Sequence, residues 1–537
     1  MPVLAAARSR IPNLQSLIAG LLLIAAWAAA SIILGFIVGF AAVILPPTGA
    51  FGIVAIVGLV LLWVMPDFPI APLKKTQAFF VVMLVVLLVV PNYYAIDVQS
   101  LPWISARRLV MFALIALFGV SLSMSSEIRG DIAGAIRTNR LLSMGLIGFF
   151  IMIVLSFFTS IGPAGSMSQF TDAVLTWLVP WLVTLYVVRS DEDVRKAVRI
   201  IAICAAFVCV VAIFDRILKQ HLAVQFLPRP ILERLMADNL SVQLMVNSNP
   251  YRDGVYRALS VFGTPLSLGE FAAIVAPFGL FYAIYSRTFF KRLLGVGLIV
   301  LCLGAIIAAY ARGGNMAIAA SSGSFAALWY FRSRRFDRHS IGAAIVAVMA
   351  VIFFTVATAA VTFWPRAHNW ALGGGEAASS TDARRMQWEL SKRHIVSNPI
   401  TGHGYAQGGA IIDNGSLEGG FTIDSYVLSL LVETGIPSLI FFMLMLFSGI
   451  AYSAKRFLTD PSEAGALNGA LACGLIAFTV NRLVLSEREN HTLVCLILGL
   501  VMVSHELYLR GITARPPSAA DDRTSVRLPL RAAEAQR

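Results

Sequence analysis

The sequence predicts an all-α, polytopic transmembrane helical bundle of about fourteen spans, with a large, partly helical loop on one face. Three observations predict it. Of 537 residues, 58% are apolar and 13% charged, and the mean hydropathy is +0.79, against about 45–50% apolar and about 25% charged in soluble chains. Apolar runs recur along the whole chain at the length of roughly 20 residues that a hydrocarbon core about 30 Å thick requires of a helix. Basic residues gather in alternate connections between those runs. The same arithmetic excludes intrinsic disorder, fibrous repeats and a disulfide scaffold, and a β-barrel would alternate apolar and polar residues at short period, which these runs do not.

The elements follow in order. The first run, about 17–45, comes after Arg8 and Arg10 and shows no clear cleavage site, so it reads as a retained span rather than a signal peptide. Runs at about 49–66, 76–92, 106–124, 141–160, 171–188 and 197–214 complete a first set of transmembrane helices over 1–214. A long connection, 215–259, interrupts the pattern. Helices at about 260–286, 291–310, 313–331 and 340–364 form a second set over 260–364, and a still larger loop, 365–423, follows. Within it a helix is expected from Ala383 to Val396, started by Ser380 or Thr381 and stopped before Pro399. A Gly-rich run then continues to Gly420, which suits turns of positive φ and close backbone approach to a ligand. Spans at about 424–451, 465–481 and 491–509 make the last set, 424–510, and the Pro-, Ala- and charge-rich tail 511–537 reads as disordered and cytoplasmic.

The 42 Lys and Arg against 29 Asp and Glu give a net charge of +13. Nucleic-acid binding is the reflex reading of such a charge, but basic residues that border apolar spans are first explained by membrane orientation. With the N-terminus inside, most of the 42 fall in inside loops. Only Arg107, Arg108, Arg312, Arg482 and Arg488 fall in the opposite short ones. That asymmetry puts both termini in the cytoplasm and both long loops outside, where loops carry function. Cys204, Cys209, Cys302, Cys473 and Cys495 all lie in apolar runs and behave as small buried hydrophobes.

Few residues can carry chemistry. Arg312, in Tyr310-Ala-Arg-Gly-Gly-Asn315, stands at the outer boundary of a span, where it either snorkels to the interface or binds an anion such as phosphate at the Gly-Gly turn. The same two readings apply to Arg257, in Arg257-Ala-Leu-Ser-Val-Phe-Gly-Thr-Pro265. Glu270 and Glu433 sit about two turns inside their spans and read as ion-pair residues, Glu270 holding one of those two arginines. Asp424, in Thr422-Ile-Asp-Ser-Tyr-Val427, begins a span at the end of the large loop, as a helix N-cap, a general base, or both. On a continuous ideal helix Glu433 faces roughly opposite to it. His394 and His403 are rival bases that read as solvated loop histidines. Arg384, Trp388 and Lys392 share a face of the loop helix and suit a sugar ring and a phosphate, or else a packed Trp beside solvated charges. No nucleotide loop, zinc pair or nucleophile elbow is present in the sequence, so no metal and no cofactor is expected.

These residues resemble the O-antigen ligase and polysaccharide polymerase superfamily of bacterial inner membranes. The resemblance runs from Arg257 to about Ser438. It rests on Arg257 with Phe262-Gly-Thr-Pro265, Ala311-Arg-Gly-Gly314, Arg384 with Trp388, Asn398-Pro-Ile-Thr-Gly-His-Gly404, and Asp424-Ser425 followed by Gly435. It implies a glycosyltransferase that needs neither metal nor nucleotide and moves a glycan from a polyprenyl-diphosphate carrier to an acceptor hydroxyl outside the cytoplasm, in the inner (cytoplasmic) membrane. Arg257 and Arg312 would match the two arginines that hold the diphosphate. Asp424 stands where ligases acting on lipid A core carry histidine, and Gly435-Ile-Pro-Ser438 replaces a closing Gly-x-x-Gly. Both departures point toward polymerisation of capsule or exopolysaccharide repeat units, with O-antigen ligation to lipid A core as the alternative. The implied partners are a polyprenyl-diphosphate-linked oligosaccharide, a glycan or lipid-core acceptor, the lipid bilayer and a chain-length regulator, with no nucleic acid. A transporter or lipid-linked glycan flippase is the rival from another class, but such proteins usually show related halves, and no internal repeat is evident.

Overall fold

The computed structural model describes residues 73–91, 93–98, 101–238, 250–252, 254–337, 378–412 and 423–513, with a few isolated positions between them. The spans expected at 17–45 and 49–66, most of that at 340–364, and the tail beyond 513 lie outside the described residues. The chain is mostly helical. Among the described residues nine helices are long and apolar enough to cross a membrane.

In chain order the elements begin with α1 (Leu73–Val89), a two-stranded antiparallel ribbon β1 (Ala95–Val98) and β2 (Leu101–Ser105), α2 (Ala106–Met124), α3 (Ser126–Thr138) and α4 (Arg140–Leu155). Next come α5 (Pro163–Ala173) and α6 (Val179–Val187), joined through one π-helical turn, Val174–Leu178, into a single long helix. Pro180 lacks the N–H that a regular turn would use there, a usual reason for such a bulge. Then follow α7 (Asp191–Leu218), α8 (Leu222–Gln225), α9 (Arg229–Asp238) and a second ribbon, β3 (Tyr251–Arg252) with β4 (Val255–Tyr256). The set closes with α10 (Pro265–Tyr285), α11 (Phe289–Ala309), α12 (Arg312–Phe336), α13 (Ala378–Ser397), α14 (Gly408–Ile412), α15 (Tyr426–Glu433), α16 (Gly435–Thr459), α17 (Glu463–Arg482) and α18 (His491–Thr513). The two small ribbons are departures from an all-α reading.

Hydroxyl caps start many of these helices. Ser105, Ser125, Ser190, Thr264, Thr288, Ser425 and Ser462 each accept a backbone N–H from the first turn, which satisfies one of the donors a helix start leaves open. Three helices form the centre. Pro265–Tyr285, Glu463–Arg482 and His491–Ile512 are 78% buried over their apolar windows, against 28% for Ala106–Met124 at the edge. All five cysteines are buried and unpaired.

One expected span is broken. The run 424–451 is not a single helix: α15 has 8 residues and stops at Glu433, and α16 restarts at Gly435. Gly435 has φ +82, a region glycine enters without the steric cost other residues meet. A Cβ there would lie 2.3 Å from the carbonyl oxygen of Ile400. The loop after α13 causes the break by docking into it, since Ile436 N–H donates to Pro399 O at 2.8 Å.

Candidate functional site

The end of the bundle that carries Arg312 gathers the ends of α7, α11 and α17, the starts of α10, α12 and α18, and the described parts of the loop from α13 to α15. Helix α11 closes on Tyr310 in the left-handed region (φ 48), and α12 opens two residues later at Arg312. Arg257 comes to this turn from β4. Its Nε donates to Ala309 O at 3.3 Å, and the next residue, Ala258, donates its N–H to Ala308 O at 3.0 Å. The two arginines are thus brought to one turn, although 55 residues separate 257 from 312.

Gly314 of the Ala-Arg-Gly-Gly motif has a packing role. A Cβ on it would lie 3.0 Å from Cα and O of Gly269, so the start of α12 rests directly on the backbone of α10. Glu270 is the next residue. Its partner is neither of the expected arginines but Arg482 at the end of α17, and both side chains are fully buried. Glu270 also accepts from Asn490 Nδ2 at 2.9 Å, which in turn donates to Ser267 O at 2.8 Å. Arg482 and Asn490 bracket the short connection over Glu270 and both reach its carboxylate, whereas Arg257 is held by the carbonyl of Ala309. The Arg482 guanidinium lies 4.6 Å from the Phe478 ring centroid and 5.4 Å from that of Tyr426. Through Tyr426 it reaches the neighbourhood of Asp424.

Asp424 lies outside α15. The N-cap is Ser425, whose hydroxyl accepts from Leu428 N, so the cap expected of Asp424 is supplied by its neighbour. Asp424 instead faces α13. Its N–H donates to Gln387 Oε1 at 3.0 Å, and its Oδ2 is 3.8 Å from Arg384 Nε. Gln387 is buried and one turn from Arg384, while both charged side chains stay more than a third exposed. Trp388, on the same helix, is 46% exposed. Lys392 pairs with Glu389 at 2.8 Å. Helix α13 runs from Ala378 to Ser397, longer at its start than the sequence suggests.

Glu433 is the anchor of the loop. Its carboxylate accepts from Ala406 N (2.9 Å), Gly408 N (3.2 Å) and Ser429 Oγ (2.7 Å), and pairs with Arg488 at 3.0 Å. The Arg488 guanidinium also lies 4.5 Å from the Tyr405 ring centroid. Because Asp424 lies before the start of α15, the angular relation between it and Glu433 expected of a continuous helix does not apply. His403 donates its backbone N–H to Val432 O, and its ring Nε2 is 2.9 Å from His394 O. Burial, then the charge of Arg393, hold the His394 imidazole below its usual range.

The connection 483–490 carries the charges that the sequence reading left without a role. Burial, reinforced by Glu489, pushes the Glu487 carboxyl up to about 7. Burial also raises Glu489, whose Oε1 accepts from Gly263 N at 2.9 Å. Arg482, Arg488, Asn490 and Gln387 went unassigned in sequence because nothing local marks them. Among the described residues no three His, Cys, Asp or Glu side chains are grouped to hold a metal ion.

Residues 297–443 match the family model described as O-Antigen ligase. No curated protein matches the chain. The matched segment contains Arg312, Arg384, Trp388, Asp424 and Glu433, and leaves Arg257, Glu270, Arg482 and Arg488 to its flanks. The match over residues 297–443 supports placing this multi-pass membrane chain in the O-antigen ligase superfamily.

Proposed function

We propose that the protein is a membrane glycosyltransferase that moves a glycan from a polyprenyl-diphosphate carrier to an acceptor hydroxyl, polymerising capsule or exopolysaccharide repeat units at the outer face of a bacterial inner membrane. Both termini are then cytoplasmic, as the loop charges indicate. The observation that carries the reading is the convergence of Arg257 on the turn that opens at Arg312. Two arginines at one turn suit a diphosphate, because the planar guanidinium fork matches phosphate oxygens bidentately.

The chemistry follows from the charges. Outside the cytoplasm no ATP is at hand, so the energy of the new glycosidic bond arrives with the sugar diphosphate. As the bond from the anomeric carbon to the carrier breaks, the departing diphosphate gains negative charge, which Arg257 and Arg312 stabilise. Asp424 takes the proton of the acceptor hydroxyl as that oxygen attacks from the opposite face, inverting the anomeric centre. Arg384 and Trp388 bind the glycan or its phosphate beside Asp424. Glu270 and Glu433 support the site through Arg482 and Arg488. An Asp where ligases acting on lipid A core carry histidine favours polymerisation over ligation.

The test is Arg312→Lys, which keeps the charge and loses the fork. Polymer production in cells should fall to a small fraction of normal while membrane insertion is retained. Near-normal polymer from a correctly inserted variant overturns the assignment.

A further inference from the structure

Asp215 lies in the last turn of α7 and is wholly buried. Its two carboxylate oxygens accept from backbone amides of two different segments: Oδ1 from Leu222 N at 3.0 Å and Oδ2 from Ser260 N at 2.8 Å. His221 Nδ1 is 3.5 Å from Oδ2, and His221 Nε2 is 3.0 Å from the hydroxyl of Tyr93. The carboxylate is thus the node at which the turn after α1, the turn after α7 and the strand leading into α10 are tied together.

Ser260 is the informative partner. It has φ 55, in the left-handed region, without being glycine. Such a residue stays there only where its surroundings over-determine it. Here both restraints come from α7: Asp215 takes its N–H, and its hydroxyl donates to Val208 O at 2.8 Å. The segment is fixed at its other end by Ala258 N to Ala308 O and by Arg257 Nε to Ala309 O. Residues 257–260 are therefore clamped between α7 and the end of α11, with Arg257 at one end of the clamp and the strained turn at the other.

We infer that Asp215 is the positioning residue of the diphosphate cradle: by holding Ser260 in its left-handed turn it sets Arg257 against the turn that opens at Arg312. The inference rests on the reading of Arg257 as a diphosphate ligand. A carboxylate can accept both amides, whereas an asparagine has one acceptor oxygen and presents an NH₂ group to the second N–H. Asp215→Asn therefore opposes one of the two amides, and the Ser260 turn, which is strained, is the one that relaxes.

The experiment measures binding of glycan-free polyprenyl diphosphate to the purified full-length protein in detergent. Asp215→Asn should raise its Kd at least about tenfold, since small misplacements of a binding group are costly. Adding Ser260→Gly, which gives up the Val208 bond but removes the backbone strain that this bond and Asp215 together offset, should bring the Kd back to within about threefold of normal. Loss of binding that Ser260→Gly does not rescue would show a general structural role and overturn the inference. Arg257→Ala separates the two layers. If it leaves the Kd unchanged, the diphosphate reading of Arg257 fails and the inference goes with it. If Arg257→Ala weakens binding and Asp215→Asn does not, only the role of Asp215 fails. Should Asp215→Asn not accumulate, Ser260→Ala removes the Val208 bond and keeps the carboxylate; it should weaken binding in the same direction, and an unchanged Kd overturns the inference.

Discussion

Glu270 of α10 and Arg482 of α17 form an ion pair from which solvent is wholly excluded. The pair joins two of the three central helices directly beneath the Gly269–Gly314 contact that seats Arg312. Removing one partner strands a buried charge, at a cost of about 3–5 kcal/mol, whereas replacing both with apolar groups can be nearly neutral. Glu270→Gln should lower the thermal stability of the detergent-solubilised protein sharply, and Glu270→Leu with Arg482→Leu should recover most of the loss. A double variant as unstable as the single one would mean that Asn490 and the connection to α18, not the charge pair, carry the energy.

Gly435 can be tested where the chain turns between α15 and α16. Its positive φ and the nearby Ile400 carbonyl leave no room for a side chain. Gly435→Ala combines a left-handed alanine, costing roughly 1 kcal/mol or more, with a clash against backbone that must move. The loop 398–408 should detach from Glu433, seen as new protease cleavage there in a protein that still inserts. Cleavage unchanged from normal would show that the docked loop survives the substitution.

Much of the fold is legible in the sequence because span length and hydropathy follow from the thickness of a bilayer, and helices appear where eleven of the expected runs fall within the described residues. What escaped has physical causes. The break after Glu433 is imposed by Pro399 and Ile400, more than thirty residues upstream, and hydropathy sees only the apolar run. The partners of Glu270 and Glu433 are arginines over fifty residues away in sequence, Arg482 at the end of α17 and Arg488 in a connection too short to draw notice. Ser425 rather than Asp424 caps α15, because adjacent hydroxyl and carboxylate residues are equally good caps and only geometry chooses between them. Arg257, Arg312 and Asp424 stood out as charged residues where apolar spans meet loops, which is a local signal.

Glu487 gives the protein a pH dependence of definite sign. Its carboxyl is pushed up to about 7 from an ordinary 4.5, by burial first and by Glu489 second. The folded state then holds a proton that the unfolded state releases between those values. Its stabilising contribution is complete below pH about 4.5 and is lost as pH rises through about 7. Melting temperature in detergent should fall across that window, and Glu487→Gln should flatten the fall. A profile with the same slope in the variant would assign the titration to another group.

Asp424 is the residue on which the chemistry turns, and its surroundings make the test cleaner than the sequence alone allows. Because Ser425 supplies the cap and Gln387 binds the Asp424 backbone N–H, Asp424→Asn changes neither contact and removes only the charge that faces Arg384. The variant should insert and fold as the normal protein does, and its rate of polymer formation should fall by roughly 10²-fold or more, the usual cost of losing a general base. Arg384→Gln leaves the Asp424 side chain in place and removes the guanidinium 3.8 Å from its oxygen, so a smaller loss is expected, with weaker donor or acceptor binding. Asp424→His, which places an imidazole where related ligases have one, should restore part of the activity. If Asp424→Asn forms polymer at the normal rate while substitution of His394 or His403 abolishes it, the base belongs to the histidine pair that touches through His403 Nε2 and His394 O, and Asp424 is an exposed partner of Arg384 with no part in proton transfer.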